Sequence, residues 1–165
     1  MPERRHLTRD LSDVERQVNG VIRYAQVTEV NHTAARVRIA DGPIVSNWIR
    51  WAEARAGADR TWDPPTIGER VIVVCPGGDL NNGTVIARLN CTDNPPPDDR
   101  PAVDKRAYAD GTVVEHDGQA GTTRLTTPGR VTVEAEGGIA LRSKGAIDIR
   151  AEGPITINGA TVDIN

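Results

Sequence analysis

The residues best equipped for chemistry in this chain are acids. Glu134, Glu136, Asp148 and Glu152 are carboxylates of the type that work in pairs in glycoside hydrolysis. Glu115-His116-Asp117 sets an imidazole between two carboxylates, the ingredients of general acid–base catalysis. Trp48, Trp51 and Trp62 are side chains on which unpaired bases stack, and Cys75 and Cys91 are the two thiols. Each set falls short on spacing or surroundings. The four acids lie in a charge-balanced run with no aromatic platform, which reads as a solvated face. Glu115-His116-Asp117 reads as a turn or an exposed patch. The tryptophans read as packing for a long insert and for contacts between chains, because the net charge of -3 and the absence of a basic groove argue against a nucleic-acid partner. The cysteine spacing fits neither zinc nor a redox motif, so buried free thiols are expected. No catalytic residue, metal or cofactor is predicted.

The elements that would position these side chains are strands. Phe is absent and Trp and Tyr are scarce, while 16 Gly and 11 Pro punctuate 165 residues, a composition of short strands and turns. "LTRDLSDVERQVNG" spaces Leu7, Leu11, Val14 and Val18 for one short amphipathic helix ending at Gly20, giving an N-terminal arm over 1–19. From Val21 the period changes to two. "VIRYAQVTEV" and "ARVRIADG" form a hairpin about "NHTA"; "IVSNWIRWAEARAGADRTWDPPTIGE" starts as a third strand and becomes a long, Trp-bearing excursion; "RVIVVCP" and "TVIARL" flank the turn "GGDLNNG". Five strands with the long insert between the third and fourth predict a Greek-key barrel of the OB type over 20–92. "NCTDNPPPDDRPA" cannot join a ladder, so 93–102 reads as a proline-rich linker. "MPERRHLTRD" has no apolar core and the longest apolar run is Val71–Cys75, so neither a signal peptide nor a membrane span is expected, and synthesis is placed in the cytoplasm.

The last part, 103–165, contains a repeat. Gly129, Gly137, Gly145 and Gly153 are eight residues apart, and Val131/Val133, Ile139/Leu141, Ile147/Ile149 and Ile155/Ile157 follow at constant offsets. Val162/Ile164 ends the series with one residue dropped, and Leu125 precedes it alone at the second position. The next alternate residue is always small: Ala135, Ser143, Ala151, Gly159. Period two puts the apolar pairs on one face and Glu134, Arg142, Asp148 and Arg150 on the other, and stacked octads would align Glu136, Lys144 and Glu152 as an outer charge ladder. An octad holds one strand and one turn, hence one wall, whereas a closed solenoid needs about three walls per coil. Ordering the backbone costs more than a half-covered apolar row returns. A homotrimer supplies the missing walls and leaves no lateral edge. The expectation is a C-terminal trimeric β-helix or β-prism with Leu125, Val131, Val133, Ile139, Leu141, Ile147, Ile149, Ile155, Ile157, Val162 and Ile164 in the core and the four glycines at the turns. At about 4.8 Å per octad the 63 residues from Val103 would rise roughly 40 Å.

Barrel, proline break and terminal prism together resemble the phage baseplate assembly protein V family, the central spike of contractile tails, related to type VI secretion spikes. The most specific stretch is "NWIRWAEARAGADRTWDPPTIGERVIVVCPGGDLNNGTVIARL", with Trp48 and Trp51, Trp62 before Pro64-Pro65, Gly68-Glu69 before a strand, then Gly78-Asp79-Leu80 and Gly83. The resemblance implies a non-enzymatic homotrimer in a virion or phage-tail-like particle. Its barrel would bind tail hub, tube and baseplate proteins, and its prism would be driven through a target membrane by sheath contraction. Several members hold iron at a His-X-His tip. His6, His32 and His116 are not so spaced. The resemblance therefore implies no metal and an end at Ile164-Asn165 that is bare or capped by a PAAR-repeat tip protein. The rival readings are a trimeric β-helical tail fibre or glycan-binding protein and, further off, a single-strand-binding OB protein.

Overall fold

A computed structural model describes residues 13–15 and 17–163. The alternation of the first two runs produces β1 (Ile22–Asn31) and β2 (Arg36–Asp41), an antiparallel hairpin. Its turn is fixed by the Asn31 side chain, whose Oδ1 accepts the Ala34 N–H at 2.9 Å, and Ala35 takes a positive φ of 51°. β1 also pairs with β5 (Arg70–Val74), and β5 with β6 (Thr84–Leu89). The excursion after β2 contributes two strands of two residues each, β3 (Ile44–Val45) against β2 and β4 (Arg50–Trp51) parallel to β6. The sheet order is β3-β2-β1-β5-β6-β4, six strands where the sequence predicts five. Reciprocal hydrogen bonds between Val37 and Ile49, 3.0 and 2.9 Å, bring the β4 end back onto β2. Ser46 is buried there, its Oγ accepting the Ile39 N–H and donating to the Asn47 carbonyl. A side chain thus replaces a ladder bond where the chain turns across the barrel.

The inward faces meet in one core. Ala25 and Val27 of β1, Val37 and Ile39 of β2, Val71 and Val73 of β5, and Val85 of β6 close on Ile49, Trp51, Cys75 and Leu80. Gly83 ends the "GGDLNNG" turn where there is no room for more: a Cβ would lie 2.8 Å from Val73 Cγ1 and 2.9 Å from the Leu80 carbonyl oxygen. Residues 13–15 and 17–19 are helical. That helix comes to rest on Gly78, whose missing Cβ would stand 3.0 Å from the Gln17 carbonyl oxygen. Leu7 and Leu11, the other half of the expected apolar stripe, lie outside the described residues.

No strand lies between Leu89 and Val103. The region beyond is divided, which the sequence reading did not anticipate. β7 (Val103–Ala107), β8 (Val113–Asp117) and β9 (Thr122–Thr126) form an antiparallel meander, with Gly111 and Gly121 at positive φ in its turns. Glu115-His116-Asp117 is therefore the second half of the meander's central strand rather than a turn. From 127 to 163 the chain is without strand pairing, broken by paired bends at 128–129, 136–137, 144–145 and 152–153 and a single one at 160. The paired bends fall eight residues apart.

Candidate functional site

The least satisfied part of the molecule is this last segment. Leu125, Val131, Val133, Ile139, Leu141, Ile147, Ile149, Ile155, Ile157 and Val162 each leave between 47 and 75 % of their surface open. Gly129, Gly137, Gly145 and Gly153 each sit in a bend. Among the described residues, no backbone–backbone hydrogen bond joins 127–163 to any other part of the chain. Two bends are held locally, by Thr127 Oγ1 accepting the Gly129 N–H and Ser143 Oγ accepting the Gly145 N–H, both at 3.1 Å. These hydroxyls are sixteen residues apart, two octads, and give Ser143 a role beyond being small. The chain exposes 13853 Å², against roughly 8,000 Å² for a compact monomer of its mass. A row of large aliphatic side chains and a run of unpaired amides in the same segment is a surface built to be covered. Ile164 and Asn165 lie outside the described residues.

The acids singled out in the sequence do not converge. Glu134, Glu136, Asp148 and Glu152 are all exposed, and Asp148 is met at 3.4 Å by Arg150, two residues on. On β8, His116 Nδ1 stands 2.9 Å from Thr123 Oγ1, on the face opposite Glu115 and Asp117. Those two carboxylates turn instead toward Arg100, at 3.1 and 2.9 Å. Among the described residues no group of three His, Cys, Asp or Glu side chains could hold a metal. His6 is outside them. No described helix is long and apolar enough to cross a membrane. Cys75 is buried and Cys91 half-buried, both free; burial pushes the Cys75 thiol up.

The tryptophans divide between inside and outside. Trp51 is in the core, Trp62 packs against it with ring centres 5.5 Å apart, and Trp48 is half-exposed with the Arg38 guanidinium 5.9 Å from its ring centre. Glu53 organises the excursion. It accepts from Trp51 Nε1 at 2.8 Å, from the Asp63 N–H at 3.0 Å and from Thr61 Oγ1 at 2.9 Å. The Asp63 N–H first, then the Trp51 donor, hold its carboxyl below the usual range. Sequence reasoning passed over Glu53, Asp63, Asp98 and Arg100. Their partners lie at irregular separations in sequence, so no period announces them. The one available signal was negative: acids and arginines flanking proline runs, where a bare spacer has no need of both signs.

The sheet, entered by a hairpin and brought back onto β2 by the Val37–Ile49 bridge, is an OB-type barrel with a tryptophan-pinned excursion ahead of β5. Residues 23–89 match the type VI secretion system/phage-baseplate injector OB domain family. That match supports kinship with the baseplate spike family, carried by the barrel. Among individual proteins, it is similar to the spike protein of Escherichia phage P2, with 30% identity over 120 residues, 73% of this chain and 56% of that protein. The chain thus matches a little over half the length of this relative.

Proposed function

We propose that this chain is the central spike of a contractile injection machine, a homotrimer that works by mechanical puncture without catalysis. The observation that carries the reading is the octad row: aliphatic pairs exposed at constant offsets, with a bend every eight residues, following an injector barrel. Three copies about a threefold axis would turn these rows toward one another, and each chain's unpaired amides would find ladders on its neighbours. A narrow rod in which every strand is bonded to another chain is stiff, and stiffness is what a piercing part needs. The barrel trimer would seat on the tail hub and tube inside the virion or particle, and the sheath would supply the work. The P2 relative's name supports placement in a phage tail.

The test is mass in solution. A trimer weighs about 53 kDa, three times 17.8 kDa, and the trimer should persist to micromolar concentration. A folded monomer of 17.8 kDa under those conditions removes the basis for the reading.

A further inference from the structure

The segment between barrel and meander has the composition of a hinge, with Pro95, Pro96 and Pro97 and no strand from Leu89 to Val103. Linkers of this kind normally leave the units they join free to move. Here the charges contradict the composition. On one face of the meander, Asp98 is saturated: Oδ1 accepts from the Asp99 N–H, the Arg100 N–H and Arg100 Nε at 3.0, 3.1 and 2.9 Å. Its Oδ2 accepts from Arg100 Nη2 at 2.8 Å and Lys105 Nζ at 3.0 Å. Arg100 reaches on to Glu115 and Asp117 of β8, and Lys105 of β7 also meets Glu115 at 3.2 Å. The three carboxylate side chains keep only 14 to 17 % exposure. Arg124 of β9 stands opposite Glu115 in the register, on the same face, and balances the charge.

The other face is held from the barrel. Asp63, in the excursion, meets Arg88 of β6 through Oδ2 and Arg106 of β7 through Oδ1, both at 3.1 Å. Arg88 also donates to the Asp63 carbonyl and reaches Glu69 at 3.3 Å. In the meander's register Lys105 and Arg106 are neighbours on opposite faces, so the two clusters grip β7 from both sides.

We propose that the two clusters together lock barrel and meander into one body, the first fixing the end of the proline segment, Asp98 and Arg100, onto β7 and β8 and the second crossing to the barrel through Asp63 and Arg106, so that thrust on the barrel reaches the octads without buckling at the proline segment. The use of the lock rests on the spike reading; its existence does not. Isolated surface pairs are worth little, but a bidentate arginine within a network of half-shielded partners is the arrangement that holds a geometry. The test uses the full chain. Thermolysin cleavage within 90–102 should be slow in the native protein and about tenfold faster in the double variant Asp63→Asn/Asp98→Asn, since cleavage follows the population of the opened form. Arg100→Gln alone should accelerate it less, as should 1 M NaCl on the native protein. Small-angle scattering should show one extended shape for the native chain and a broadened one for the double variant, at unchanged mass. Barrel tryptophan emission identifies a variant that has unfolded, in which case Arg100→Gln and salt decide. Native-rate cleavage in a folded variant, or in the salt arm, overturns the lock. A monomeric mass with slow native cleavage overturns the spike reading and leaves the lock standing.

Discussion

The barrel and the octad segment are written in the same aliphatic alphabet and meet opposite fates. Val71 and Val73 on β5 alternate with half-buried residues and are themselves sealed, 0 % exposed. Ile147 and Ile149 alternate with charged residues and are 54 and 66 % exposed. A period of two identifies a wall. It does not say who builds the wall opposite. The barrel's second layer is encoded in the same chain, because β1, β2 and β6 curl round β5. The octads lack any such sequence, and so the proposal assigns their second and third walls to two further copies.

The contrast can be broken most sharply by a charge in each region. Val73→Asp places a carboxylate in a dry, enclosed core and should cost several kcal/mol, unfolding the barrel at every protein concentration. Ile149→Asp should leave the barrel folded, with its near-ultraviolet tryptophan circular dichroism intact, and reduce the mass from about 53 to 17.8 kDa. An Ile149→Asp trimer of native mass would rule out the inward face. Truncation is the next largest effect. Ile39→Ala should destabilise the barrel by about 2 to 5 kcal/mol with no dependence on protein concentration. Ile147→Ala removes the same atoms three times over in a trimer, and its melting temperature should rise with concentration as the native protein's does. Smaller again is Gly83→Ala, where Val73 and the Leu80 carbonyl must shift; about 1 to 3 kcal/mol is expected in denaturant unfolding of the barrel. The smallest is a matter of pH. Glu53 is held below the usual carboxylate range, so its contribution is complete above about pH 4.5 and is lost as pH falls through its folded value. Barrel melting should be level from pH 8 to 5 and fall in acid, and Glu53→Gln should lower the plateau and flatten the fall.

Much of the barrel was legible because its strands alternate cleanly and its ends are marked by glycine and proline. β1, β2, β5 and β6 emerge within a residue or two of the runs read for them. β3 falls where the Trp-bearing run was read to start as a strand, but it is only two residues long; β4 was not legible, since so short a strand has no period, and Ser46 does by side chain what a longer strand would do by ladder. The meander was hidden for a different reason. "VDKRA", "VVEHD" and "TTRLT" carry few aliphatics on either face, so the octad template ran back over them and placed 103–126 in the same category as the segment beyond. Tight turns at Gly111 and Gly121 were the available correction. Of the candidate residues, the repeat was fully visible as spacing. The ion clusters were not, since Asp98 finds Lys105 and Asp63 finds Arg106 only once the chain has folded.

The even beat of the bends has an arithmetical consequence. Removing 137–144, or duplicating it, leaves every later aliphatic pair in step with every earlier one. An indel of seven or nine residues would shift all subsequent pairs by one against the bends, a step the chain takes only at its last pair, Val162/Ile164. Length along this segment is therefore graduated like a ruler in units of eight, and the proposed shaft could be lengthened or shortened by whole units with no change in the offsets of the remaining pairs.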